Sequence, residues 1–394
     1  MKNLVVFFAN YPFYKFHLEK DVGLFSIYLK NEYFDSVTLL KVGEKKENEY
    51  SYKNIYVRNL FVSKEPYTKN KNSLLYQLKE FIFAIHYVKT HKDITHIMFF
   101  HFNFISNLYF AYRIKKLFPH IKIYDKLDTS DQGAQNIINQ LTTSKFSRLK
   151  RFFVKSIDYF SVESSSPYQL LQNSLALQDK IFLIPNGIDN ISNFDSTPLN
   201  KENIIITVGR LGTFQKNTEL LLSIINEIDL KDWKVILIGP IENKEKDFES
   251  YIKNYYKMNP HLNEKLQFIG NISDKDVLIS FYKRAKIFLF TSRFESYGIA
   301  LEEAAFFGDY IISTETGAAM DITQNGKLGF IAPKSKEFNQ NESVMKISMT
   351  NHLQNIINGK IDISDNLAKQ SSFVKNNYIM DTVIRLPMFK EFSK

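Results

Sequence analysis

The chain has 394 residues, 44% hydrophobic and 15% aromatic, with a formal net charge of +9 and no cysteine. Its length exceeds a usual single core and implies two domains, and the missing cysteines exclude disulfides, thiolate nucleophiles and cysteine-ligated metal. The positive charge points to an anionic partner, with nucleotide diphosphates and lipid headgroups ahead of nucleic acid, since no DNA- or RNA-binding motif accompanies it.

The first element is read as a buried strand over Asn3 to Ala9, broken by Asn10 and Pro12, rather than as a signal peptide. No stretch approaches the roughly 20 uncharged apolar residues that span a bilayer, so the chain is expected in the cytoplasm. At the turn into the first helix, Lys20-Asp21-Val22-Gly23 and the nearby His17 are candidates to meet phosphate or acceptor, because a helix start presents unpaired N–H groups. Further strands are expected at Ser36 to Leu40, Asn54 to Val57, Ile97 to Phe100, Lys122 to Tyr124, Tyr159 to Val162 and Ile181 to Ile184. His101 leaves one of these at the end where ligands of such sheets bind, or is an ordinary structural histidine. In Asp125-Lys126-Leu127-Asp128 two carboxylates stand three positions apart with no histidine or further acid close in sequence, so no metal is expected. Asp128 is instead a candidate contact to acceptor or sugar, or a turn residue. Two stretches are basic. Lys64, Lys69 and Lys71 fall in the polar run Ser63 to Ser73, and Lys145, Arg148, Lys150 and Arg151 interleave with aromatics at helical spacing between Lys145 and Lys155. The second pattern suits a helix that lies on an anionic membrane surface, or an amphipathic helix with a solvated basic face.

After the polar segment Asn190 to Asn203 the strand pattern restarts with Ile204 to Val208, Lys234 to Gly239, Leu266 to Ile269, Lys286 to Phe290 and Tyr310 to Ser313. Strands alternating with helical patterns predict an α/β protein of two Rossmann-like, doubly wound parallel-sheet domains joined near residues 190 to 200, with the site in a cleft at the strands' carboxyl ends. Ser292 to Ile322 is the most informative stretch. Its loop Phe294-Glu295-Ser296-Tyr297-Gly298 leads into a helix from Ile299 to Phe306 that stops at Gly308. The helix start aims N–H groups and its positive dipole end at the loop, and Gly298 lets an anion come close. Glu295 lies just ahead of that anion site, and Glu303 roughly one and a half turns beyond it. The small-residue turn Thr316-Gly317-Ala318-Ala319 could approach a ligand. Upstream, Ile204 to Gly209 leads to Arg210, with Lys216 six residues on; a guanidinium fork and a mobile ammonium suit a diphosphate.

On these residues the chain resembles the retaining GT-B glycosyltransferases of family four, which build bacterial capsules, O-antigens and other glycans. Glu295 and Glu303 match the family's glutamate pair with seven intervening residues, and Val208-Gly209-Arg210-Leu211 with Lys216 match its phosphate clamp. Ile184-Pro185-Asn186-Gly187-Ile188-Asp189 matches the close of its N-terminal domain. Asn217 stands where the family usually has glycine. The first half matches more loosely, at Lys20 to Gly23, His101 and Ser161-Val162-Glu163-Ser164.

The resemblance implies a metal-independent transferase, without cofactor, that moves a sugar from a nucleoside diphosphate, UDP favoured, to a glycan, a lipid-linked saccharide or another hydroxyl acceptor in surface polysaccharide synthesis. It implies an acceptor-binding domain over residues 1–190, joined by a C-terminal helix at 371–394, and a donor-binding domain over 191–370. By the same resemblance Glu295, His101, Arg210 and Lys216 act at the reacting end. Tyr297 falls on the donor side, Gly298 and Ile299 supply backbone donors to phosphate, Glu303 binds the ribose, and Gly270, Asn271 and Ile272 the base. His17, Gly23 and Asp128 fall on the acceptor or sugar side. Retention follows from resemblance, not from spacing. Two other readings stay open: a catalytically silent GT-B subunit, and a sugar-nucleotide epimerase or phosphorylase on the same fold.

Overall fold

A computed structural model describes residues 1–8, 13–43, 49–62, 74–100, 104–189, 200–243, 247–333 and 341–394. They fall into two compact units, Met1–Asn190 with Ile379–Lys394, and Ile191–Tyr378. The Lys64, Lys69 and Lys71 patch and His101 lie outside the described residues.

The first unit is built on eight strands: β1 (Asn3–Phe8), β2 (Ser36–Gly43), β3 (Tyr50–Tyr52), β4 (Ile55–Val62), β5 (His96–Phe100), β6 (Lys122–Lys126), β7 (Tyr159–Val162) and β8 (Ile181–Leu183). They run in the order β3-β4-β2-β1-β5-β6-β7-β8, and all neighbours are parallel except β3 and β4. A strand buried on both faces sends alternate side chains into different cores. Accordingly Val5 and Phe7 of β1 join one cluster, with Ile97, Phe99 and Ile123, whereas Leu4, Val6 and Phe8 join another, with Met98, Phe100 and Tyr124. The chain's last segment covers the second face: Met380, Val383, Ile384, Met388, Phe389 and Phe392 are buried there, and the Phe392 ring meets Tyr124 at 5.5 Å. The antiparallel hairpin β3-β4 is not apparent from the strand pattern of the sequence. Its two-residue turn, Lys53 and Asn54, has φ of 43° and 69°, as a primed hairpin turn requires.

The second unit has six strands, β9 (Ile204–Val208), β10 (Lys234–Ile238), β11 (Leu266–Gly270), β12 (Ile287–Phe290), β13 (Tyr310–Thr314) and β14 (Phe330–Ala332). Their order is β11-β10-β9-β12-β13-β14, parallel throughout.

The chain returns to the first unit later than the sequence suggests. The helix Ser364–Asn377 stays with the second unit. It buries Leu367, Gln370, Ser371 and Val374, a stripe at helical spacing. Two of these four are polar, so an apolar pattern misses them; their side chains donate to the carbonyls of Ile322 and Phe306, each at 2.7 Å. From Ile379 onward the chain belongs to the first unit, where the Met380 N–H donates to the Ile188 carbonyl at 2.9 Å.

Candidate active site

Counted within the second unit, the strands are ordered 3-2-1-4-5-6, so the topology reverses between β9 and β12. The connections leaving the carboxyl ends of those two strands diverge, which is where doubly wound sheets bind ligands. One loop runs from Gly209 to Asn217 and the other from Thr291 to Gly298. Hydrogen bonds lace them together: the Arg293 N–H donates to the Gln215 carbonyl at 2.8 Å, and the Thr291 hydroxyl to the Asn217 carbonyl at 3.1 Å. Asn217 has φ 49° and ψ 48°, a left-handed conformation that asparagine tolerates better than most residues. This accounts for asparagine in place of the glycine that the resemblance leads one to expect.

The two loops close one charged network. The Lys216 ammonium donates to Glu295 Oε1 at 2.5 Å, and the Ser292 hydroxyl donates to the same oxygen at 2.8 Å. Glu295 Oε2 accepts from the Gln215 amide nitrogen at 3.0 Å, and Gln215 Oε1 accepts from Arg210 Nη2 at 2.7 Å. Lys216 reaches this position because its stem lies on Gly209, where a Cβ would come within 3.3 Å of the lysine Cε. Its ammonium also sits 5.3 Å from the centre of the Phe290 ring. Glu295 is 9% exposed, whereas Arg210 lies open at the surface. Two cations and a carboxylate therefore converge at the switch point. The sequence reading missed Gln215 and Ser292, and nothing in their spacing marks them.

The helix Ile299–Phe306 starts from Gly298 at φ 100° and ψ 63°, a conformation that strains any residue with a Cβ by about 1–3 kcal/mol. Its acids divide by direction. Glu303 is half-buried and accepts from the Tyr282 hydroxyl at 3.1 Å, while the fully buried Glu302 accepts from the Tyr297 hydroxyl. Burial first, and the adjoining carboxylate second, push both phenols well above the usual tyrosine range, so each acts as a donor. This corrects the expectation for the Tyr297 side chain: it is 1% exposed and turned inward, so its ring does not face a donor. The Thr316–Ala319 turn has a supporting part as well. A Cβ on Gly317 would lie 2.2 Å from the Tyr297 carbonyl and 2.9 Å from Glu295 Cβ, so the turn backs the Glu295 loop. Gly270 continues the row of strand ends. The Gly239 N–H donates to its carbonyl at 2.8 Å, and a Cβ on Gly239 would meet the Gly209 carbonyl at 1.8 Å. Asn271 is exposed and Ile272 half-buried beside it.

In the first unit, Gly23 is explained by packing, since a Cβ there would lie 2.2 Å from the Leu18 carbonyl. His17 Nδ1 holds the start of the short 3-10 turn Lys15–Glu19, 2.9 Å from the Tyr14 N–H, and its ring packs on Phe16 at 4.2 Å. Asp128 has φ 42° and its N–H donates to Glu163 Oε1 at 3.2 Å. That carboxylate is also bonded by Lys126 at 2.5 Å, both side chains being fully buried. Asp125 is buried too, accepts from the Asn107 amide at 2.9 Å, and is pushed by burial to a pKa of about 7. The basic helix forms over Ser147–Val154 and leaves Leu149 and Phe152 exposed, along with Phe146 ahead of it. Lys145 and Arg148 are exposed as expected. Lys150 instead donates to Gln140 and Ser144, and Arg151 to the Leu141 carbonyl, so these two cations are partly engaged by the protein itself. Among the described residues no helix is long and apolar enough to cross a membrane.

Two doubly wound α/β units of this kind define the GT-B class. HepE from Anabaena, in complex with UDP, superposes with a TM-score of 0.67 at 13% identity, covering 100% of both chains. Residues 189–358 match the sequence model of the family described as glycosyl transferases group 1. It is 28% identical over 202 residues to a probable sucrose-phosphate synthase from Thermosipho melanesiensis, over 50% of this chain and 46% of that protein. It is 30% identical over 140 residues to the amylovoran biosynthesis glycosyltransferase AmsD of Erwinia amylovora, over 35% of this chain and 37% of AmsD. The chain thus spans less than half the length of these curated relatives.

Proposed function

We propose that the protein is a retaining, metal-independent glycosyltransferase that moves a sugar from a nucleoside-diphosphate sugar to a glycan or lipid-linked hydroxyl acceptor in bacterial surface polysaccharide synthesis. The observation that carries this reading is the convergence of Arg210, Lys216 and Glu295 at the reversal point of the second sheet, ahead of the helix that holds Glu303. UDP is the favoured nucleotide, by resemblance to the family and because HepE of the same fold is seen with it. AmsD, a relative over part of its length, supports polysaccharide synthesis as the setting.

In the reaction, the acceptor oxygen bonds to the anomeric carbon as the bond from that carbon to the diphosphate oxygen breaks. The electron pair leaves on the diphosphate, and a phosphate oxygen on the same face takes the acceptor proton. Arg210, Lys216 and the first N–H groups of the Gly298–Ile299 helix start meet the growing negative charge, the kind of preorganised contact that dominates such catalysis. Glu295 supports the positive character of the sugar. Glu303 receives the ribose hydroxyls, and the Gly270–Ile272 loop receives the base. The first unit takes the acceptor, with His17, Asp128 and His101 as candidate contacts. Exposed Phe146, Leu149 and Phe152 beside Lys145 and Arg148 suit peripheral attachment to the anionic inner face of a membrane.

The test is a thermal-stabilisation screen of nucleoside diphosphates and their sugars, repeated with a chelator. A ligand at roughly 100 times its dissociation constant adds about 2.7 kcal/mol. Stabilisation by one nucleotide class, abolished in Arg210→Ala and Lys216→Ala, is expected; the absence of any such response refutes the reading.

A further inference from the structure

Gln215 carries no charge and belongs to none of the motifs that identify the site, yet its side-chain amide touches both ends of the charged network. Its oxygen accepts from Arg210 Nη2 at 2.7 Å and its nitrogen donates to Glu295 Oε2 at 3.0 Å and to the Phe294 carbonyl at 3.3 Å. Its backbone carbonyl accepts from the Arg293 N–H at 2.8 Å, so the residue is fixed at main chain and side chain alike. An amide has an acceptor at one end and donors at the other. Here the acceptor meets a cation and the donor meets an anion, and the opposite assignment would set like against like at both contacts.

Resting on the proposed donor site, we infer that Gln215 is a positioning residue that locks the Arg210 guanidinium and the Glu295 carboxylate into one mutual geometry before a nucleoside-diphosphate sugar arrives. Arg210 is exposed on a long flexible stem; tethered through Gln215 it loses less rotamer freedom when it meets a phosphate, which is how preorganisation gains affinity. Through its other end Gln215 holds the second oxygen of Glu295 while Lys216 and Ser292 hold the first. When Lys216 turns to a diphosphate, the carboxylate keeps two of its three partners and stays in place.

Gln215→Glu and Gln215→Leu separate this role from a merely structural one. The introduced carboxylate faces Arg210 and Lys216 on its own loop and Glu295 on the other. Arg293, which touches Gln215 through the main chain, has its guanidinium engaged elsewhere, stacked 4.2 Å over the Phe214 ring and paired with Glu342 at 2.8 Å. Two carboxylates about 3 Å apart cannot both ionise readily and tend to share a proton. The variant therefore disrupts Glu295 and competes with phosphate for Arg210 when both acids are charged, and regains a donor when one is protonated. The probe is UDP, titrated at pH 7.5 and pH 5 into the full-length wild type, the two variants and Lys216→Ala, with thermal midpoints as a folding control.

We expect Gln215→Glu to bind UDP at least about tenfold more weakly than wild type at pH 7.5 and within about threefold of it at pH 5. Gln215→Leu should be weakened about three- to tenfold at both. Wild-type affinity in both Gln215 variants, or an equal and pH-independent loss in both, overturns the positioning role. In that case Lys216→Ala, if it still loses UDP, leaves the donor site standing. Wild type and Lys216→Ala binding UDP equally, or neither binding it, removes the donor site and the inference together.

Discussion

Replacing Lys216 by alanine tests the ion pair and the chemistry in one experiment, because stability and turnover should respond differently to a second change. The ammonium lies 2.5 Å from Glu295 Oε1, with the two side chains 19% and 8% exposed. Removing one member of a fully buried pair costs about 3–5 kcal/mol, mostly because a charge is left without a partner. Here Ser292 and Gln215 still bond the carboxylate and Lys216 is partly solvated, so a loss of about 1–3 kcal/mol is expected. At about 2–4 °C per kcal/mol for a domain of this size, the melting midpoint should fall by roughly 2–12 °C. Adding Glu295→Gln to Lys216→Ala removes the stranded charge and should recover at least about half of that fall. Turnover should not recover: each single variant loses about two to three orders of magnitude through missing electrostatic contacts, and the double variant stays as slow as the worse of the two. Thermal unfolding and single-turnover sugar release read the two effects separately. A double variant no more stable than Lys216→Ala, or near-normal turnover in Lys216→Ala, would refute the reasoning.

Tyr282→Phe removes the buried hydroxyl that orients Glu303; it should weaken UDP binding about three- to tenfold with turnover at saturation little changed, as titration and kinetics will show. His96 is driven by burial to a pKa of about 4, so as pH falls from about 6.5 toward 4 the unfolded chain takes up a proton that the fold refuses. That proton destabilises the wild type but cannot act on His96→Gln, and urea midpoints at pH 7 and 4.5 should show the stability difference moving in the variant's favour at the lower pH. On anionic liposomes, Lys145→Gln with Arg148→Gln should weaken binding by about 1 kcal/mol per charge near the surface. Lys150→Gln should weaken it less, because that ammonium already serves Gln140 and Ser144; a flotation assay in which Lys150→Gln has the larger effect would contradict the orientation of this helix.

Much of the fold was legible because parallel strands buried on both faces read as apolar runs: Leu4 to Phe8 and Ile287 to Phe290 are buried throughout. The short elements were not. Phe330–Ala332 is three residues in a turn-rich stretch, too brief to show a period, and Tyr50–Tyr52 exists because of its hairpin turn. The helix Ser364–Asn377 was assigned across the domain boundary because its buried stripe includes Gln370 and Ser371, whose hydrogen bonds no hydropathy pattern reveals. At the site, the spacing of Arg210, Lys216, Glu295 and Glu303 was readable, and the structure adds that the first three converge. Their mutual bonding depends on two loops 74 or more residues apart in sequence, a contact of topology that local pattern cannot carry. The same holds for Tyr297, whose place beside Glu295 suggested a ligand contact until its ring proved to be core.

Titration of UDP into the wild type, Glu303→Gln and Glu295→Gln, with a chelator present, tests the central claim most directly. A carboxylate that accepts from ribose hydroxyls contributes about 1.5–3 kcal/mol, so Glu303→Gln should bind UDP at least about tenfold more weakly. Glu295→Gln, placed at the sugar end, should bind within about threefold of wild type. Affinity lost in Glu295→Gln and kept in Glu303→Gln, or a wild type that binds no nucleoside diphosphate at all, would contradict the donor site described here.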